Sequence, residues 1–112
     1  MQLLLLILKD AEFVDTLIQE LAACGVKGGT LLEGKGMADA LVNNEDYPVF
    51  GILRHMMAGE EKESSYVLMF VLRDEQVMNT RNTVKSVLGD LKDPNSGIMF
   101  SIPLTYVEGL GD

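Results

Sequence analysis

Two side chains with nucleophile and base chemistry occur once each: Cys24 and His55. Nucleophilic catalysis needs an activated nucleophile, a base beside it and a group that orients the base. Cys24 falls on the last turn of a helical pattern, where a thiol reads as a small core residue. His55 follows Arg54 in a long connection, where a surface or interface role reads better than catalysis. The carboxylates lie mostly on helix faces or in that connection, and solvation accounts for them. No pair stands out as general acid and base, so the residues point away from an enzyme. Met56 and Met57 beside His55 form a soft-metal set, because thioether and imidazole suit copper(I). Packing in a loop or interface is the plainer reading of the same three residues. One histidine excludes a multi-histidine metal site within one chain. One cysteine excludes a disulfide framework and a cysteine-rich zinc site.

Anion chemistry has better material. Gly34-Lys35-Gly36 closes a β-prone run. Glycines there let backbone N–H groups approach an anion, and the lysine adds charge. A tight turn is the competing reading. Pro94-Asn95-Ser96-Gly97 is a second turn, in the other half of the chain, and offers a second backbone cradle. In an oligomer the two cradles could meet across an interface.

The elements that must position these residues follow from periodicity. Leu3 to Leu8 is an unbroken apolar run and reads as a buried strand. It lacks the basic flank and cleavage site of a signal peptide. Asp10 is an expected N-cap, and Phe13, Val14, Leu17, Ile18, Leu21 and Ala22 follow at helical spacing. Gly25 stops that helix. Thr30 to Glu33 is a short strand. Residues 37–64 form a long connection, with a turn-rich stretch at Asn43 to Pro48 and an apolar piece at Val49 to Met57. Connections of that length in a small domain tend to be functional or disordered. Tyr66 to Leu72 is a second apolar strand, and Asp74 a second expected N-cap. Val77, Arg81, Val84, Val87, Leu88 and Leu91 keep helical spacing. Gly97 to Pro103 reads as the last main strand, with Thr105 to Leu110 a short edge strand or turn.

The halves repeat one order: apolar strand, basic residue, Asp, helix, glycine turn, strand. Leu8-Lys9-Asp10 corresponds to Leu72-Arg73-Asp74. Two such units predict an α+β fold, a ferredoxin-like βαββαβ sandwich with both helices on one face of a four-stranded sheet. A strand with a solvated second face alternates apolar and polar residues. Leu3 to Leu8 and Val67 to Leu72 do not, so the helix-free face needs a cover. A second copy of the chain is the expected cover. The long connection folding back through Val49 to Met57 is the alternative.

The 112 residues make one domain. At 47% hydrophobic and 23% charged, the composition is globular. Nine basic against 17 acidic residues give a net charge of -8, which argues against a nucleic-acid partner. No run reaches the roughly 18 to 20 apolar residues of a membrane helix. Sparse cysteine fits a reduced, cytoplasmic setting.

Three stretches carry a family resemblance over most of the chain. They are Gly25-Val26-Lys27-Gly28-Gly29-Thr30, Gly34-Lys35-Gly36-Met37 with the long connection after it, and Gly97-Ile98-Met99-Phe100-Ser101-Ile102-Pro103. The chain resembles the PII-like signalling superfamily of nitrogen regulators in its G-x-x-G-x-T turn, its G-x-G strand end, its T-loop and its B-loop before a final strand. The resemblance implies a homotrimer of ferredoxin-like subunits and a non-enzymatic sensor without a resident cofactor. It implies that adenine nucleotides or other small effectors bind between subunits. The T-loop, here 37–64, would then engage a target such as a transporter or a metabolic enzyme. By position, Gly34, Lys35, Gly36 and Met37 would meet the ligand at the T-loop base. Thr30 would support the pocket, and Asn95, Ser96 and Gly97 would stand for part of the phosphate cradle.

Three departures bear on the ligand. Ala38 stands where the nitrogen regulators carry glutamine. Ile98 follows Gly97 where they carry a phosphate-binding lysine. Their C-terminal arginines are absent near Val107-Glu108. Charge-assisted bonds are worth about 1.5 to 3 kcal/mol each, so these losses point to a less charged nucleotide or another small ligand. The related CutA-type trimers, a metal-responsive alternative, share the fold. Their aromatic strand motif is not found here, and the chain has no Trp.

Overall fold

The computed structural model describes residues 1–9, 11–35, 65–89 and 97–110. The chain is a small α+β protein with strands β1 (Gln2–Leu8), β2 (Thr30–Gly34), β3 (Ser65–Leu72) and β4 (Ile98–Pro103). Helix α1 (Val14–Ala23) lies between β1 and β2, and α2 (Asp74–Leu88) between β3 and β4. The strands form one antiparallel sheet in the order β2-β3-β1-β4, which is compatible with a ferredoxin-like fold. No helix among the described residues is long and apolar enough to cross a membrane.

Strand period two sorts the apolar runs onto two faces. Leu4, Leu6 and Leu8 of β1 are buried with Leu68, Phe70 and Leu72 of β3. The cluster is completed by Val14, Leu17 and Leu21 of α1 and Val77 and Val84 of α2. Burying one such side chain fully contributes about 1.5 to 3 kcal/mol, so this layer holds the domain together.

The other face is set by register. Residues directly opposite in antiparallel strands share a face. Leu3, Leu5 and Ile7 oppose Val71, Met69 and Val67 on one side, and Ile102, Phe100 and Ile98 on the other. Leu32 opposes Val67 at the β2 edge. This face carries ten apolar side chains and no charged one. Its β4 margin is open: Ile98 is 60% exposed, Phe100 41% and Ile102 45%. The expected covers, a second copy or residues 49–57, are respectively a matter of assembly and outside the described residues.

The helix ends follow local chemistry, with one correction at each start. Arg73, not Asp74, occupies the N-cap of α2, with extended backbone (ψ 150°), and Asp74 is the first helical residue. The Arg73 N–H donates to Gln76 Oε1 at 3.1 Å, which closes the turn from the Gln76 side. A 3-10 turn, Ala11–Phe13, precedes α1 and puts Phe13 at its N-cap. The expected cap residue Asp10 lies outside the described residues. At the far end of α1, Gly25 takes φ 101°. The Val26 N–H donates to Leu21 O at 3.0 Å and Gly25 N–H to Ala22 O at 3.2 Å. This is the paired bonding of a Schellman stop. Residues 104–110 form no strand, so β4 itself is the sheet edge.

Candidate functional site

The sheet has two ends, and the sequence-predicted site residues divide between them. Gly34 and Lys35 leave β2 at the end where β3 begins with Ser65, since Gly34 pairs with Ser65. Gly97 precedes Ile98, which pairs with Ile7, so it lies at this same end. However, β2 and β4 are opposite edges. Three strand intervals of roughly 4.8 Å separate them by about 14 Å. Thr30 is at the other end of β2, about 13 Å from Gly34 along the strand. One chain therefore does not gather Thr30, Gly34–Lys35 and Gly97 into one pocket. Gly36, Met37, Asn95, Ser96 and the rest of the 37–64 connection lie outside the described residues.

Packing explains some glycines and not others. Gly97 has φ 141°, and a Cβ there would sit 2.8 Å from the Ile7 carbonyl oxygen and 2.9 Å from Leu8 Cδ2. Only glycine lets β4 enter the sheet that closely. At Gly29 a Cβ would fall 2.5 Å from the Phe70 ring. Gly34 meets nothing closer than 3.9 Å, and Gly28 nothing within 4 Å.

Thr30 and the loop before it border two cavities. The larger, about 820 Å³, lies at the end of the sheet where α1 hands over to β2 and β3 to α2. Lys27, Gly28, Gly29, Thr30, Arg73, Glu75 and Gln76 line it, with Val26, Met69, Val71, Leu72 and Leu110 as apolar wall. A groove of about 320 Å³ runs on the helix side, between Ile18 of α1 and Leu31 of β2. A third cavity, about 610 Å³, lies under the C-terminal segment. Its rim holds the Met1 ammonium, 3.1 Å from Asp74 Oδ1. There the Tyr106 hydroxyl donates to Glu108 Oε2. That bond to a carboxylate raises the Tyr106 phenol above its ordinary pKa. Gly34, Lys35 and Gly97 line none of these three cavities.

The sequence reading passed over Lys27 and Arg73 as site residues. Lys27 sits inside the glycine turn, where its charge was the available signal. Arg73 registered merely as the basic residue ahead of a helix. Among the described residues no group of three His, Cys, Asp or Glu is placed to hold a metal ion. His55, Met56 and Met57 lie outside them. Cys24 is partly buried against the core, and its thiol donates to Leu21 O at 3.3 Å. Compared with known proteins, the chain matches no family model and no curated protein.

Proposed function

We propose that the chain is a PII-like regulatory protein, a homotrimer that senses a small ligand at its subunit clefts. The ligand is an adenine nucleotide of low charge or another small anionic effector. Its binding orders part of the 37–64 connection, which then engages a target protein, such as a transporter or metabolic enzyme. A ligand moves such an equilibrium by its differential affinity for the two states. The protein catalyses nothing in this reading and works in the cytoplasm.

One observation carries the proposal: the helix-free sheet face, with ten apolar side chains and no charge. Contiguous apolar surface of that kind marks an interface. In a chain of net charge -8, it is also where like-charged copies approach with least repulsion. Packing copies on this face supplies a reason for the divided site. Thr30 of one subunit and Gly34–Lys35 of another can border one cleft, although they lie at opposite ends of β2 in each.

Light scattering with calorimetry tests both halves. A particle of three times 12.3 kDa is expected, with saturable binding of AMP, ADP, ATP or cyclic AMP. A ligand at a hundred times its Kd adds about 2.7 kcal/mol of stability, which a thermal shift detects. A monomer at micromolar concentration would sink the assembly. A trimer indifferent to every nucleotide would remove the nucleotide.

A further inference from the structure

The loop between α1 and β2 has donors that the fold does not use. The N–H groups of Lys27, Gly28 and Gly29 have no hydrogen-bond partner among the described residues. Each backbone donor needs water or a ligand. Three in succession at the rim of a cavity form the kind of concavity that binds anions. The roughly 820 Å³ cavity they border carries two cationic side chains, Lys27 and Arg73, against one carboxylate, Glu75. The neighbouring Asp74 carboxylate is held by the Met1 ammonium at 3.1 Å. In a chain of net charge -8 this is a local reversal of sign. Gly28 adds an independent observation. A Cβ there would meet nothing within 4 Å, and its φ lies outside the left-handed region. No feature of the described chain requires a glycine at this position, whereas a ligand that approaches the backbone closely would.

We propose that Lys27, Gly28 and Gly29 together with Arg73 form a phosphate-binding site at the α1–β2 end of the sheet. Backbone N–H groups and the Lys27 ammonium hold the phosphate oxygens, and Arg73 closes the site from the β3–α2 junction. The apolar wall of Val71 and Leu72 receives the uncharged part of a phosphate monoester. This site stands at the opposite end of the sheet from Gly34–Lys35 and Gly97, and it does not depend on a trimer.

The test is a residue-resolved NMR titration of the full chain with inorganic phosphate, at ionic strength matched by sodium chloride. The amides of 27–29 are expected to shift saturably with phosphate and not with chloride. Lys27→Gln and Arg73→Gln should each weaken binding at least tenfold. Gly28→Val should also weaken it, at an unchanged melting temperature, because the side chain has free space in the unliganded chain. Lys35→Gln should leave the affinity unchanged. A parallel titration with n-butyl phosphate separates the sources: tighter binding than phosphate marks a monoester site, equal binding a site for the free ion. Absence of saturable shifts at 27–29, or full affinity in the Lys27 and Arg73 variants, would overturn the proposal. Saturable shifts at Gly34, Lys35 and Gly97 instead would refute this site while favouring the cradle at the other end.

Discussion

Gly97 and Gly28 show how differently the same residue type is used. Gly97 combines φ 141° with a Cβ position 2.8 Å from the Ile7 carbonyl oxygen. Gly97→Ala therefore carries both a backbone penalty and a collision with β1. Conformational strain of this sort costs about 1 to 3 kcal/mol, and urea unfolding should show a loss of at least that size. Gly28→Ala meets no atom and should stay within about 0.5 kcal/mol of the parent. Equal losses in the two variants would contradict the packing described here. Tyr106 gives a second residue-scale prediction. Its bond to Glu108 favours the neutral phenol, so its pKa lies above 10.0, the ordinary value. Any stability this adds is present below that ordinary value and is lost as pH rises through the raised one. In a spectrophotometric titration Tyr106→Phe should remove a late-ionising phenol. Glu108→Gln should bring that phenol back toward the ordinary value. The group is exposed, so the ionisation curve, not the melting temperature, is where the effect appears.

At the scale of elements, β1 is the strand whose two faces do different work. Leu6 is fully buried against the helices, at 0% exposure. Leu6→Ala should cost about 2 to 5 kcal/mol, the range for a core Leu cut to Ala. Leu32, on the other face and at the β2 edge, is 49% exposed. Leu32→Ala in the isolated subunit should cost less than half as much, measured by chemical denaturation at a concentration where no assembly forms. The element order and the helical stretches were legible because periodicities of 2 and 3.6 are local. The Gly25 stop was legible for the same reason. The starts were less so. Asp74 looks like a cap, yet the extended β3 backbone continues through Arg73 and moves the helix start one residue on. Asp74 still lies in the first turn, where a carboxylate complements the helix dipole. Gln76 supplies the closing bond instead. An Arg-x-x-Gln pattern hides that arrangement, because its acceptor comes from the third position of the helix and not from the cap residue.

For the whole molecule, the question is what occupies the helix-free sheet face. Phe100 and Ile102 are 41% and 45% exposed in the single chain. Charging them costs the subunit fold little but would place buried charge in an assembly, where an unpaired ion is expensive. The double change Phe100→Glu, Ile102→Lys should therefore give a folded monomer by light scattering and circular dichroism. An assembly of unchanged mass would place the interface elsewhere.

Composition and pattern by themselves determined a single α+β domain, two strand–helix–strand halves and strands apolar on both faces. Each follows from neighbours in sequence, so each can be read without knowing what lies across the sheet. They also singled out Gly34–Lys35 and Gly97, but read Gly97 as a cradle residue when its nearest contacts are the β1 backbone. Only the tertiary structure decided which alternate leucines face the helices, because that depends on pairing between β1 and β3. Pairing also put Thr30 and Gly34 at opposite ends of the sheet. It brought Lys27 and Arg73, from different halves of the chain, to one cavity. Such meetings are products of crossover and antiparallel register. Both are non-local, and no window of residues contains them.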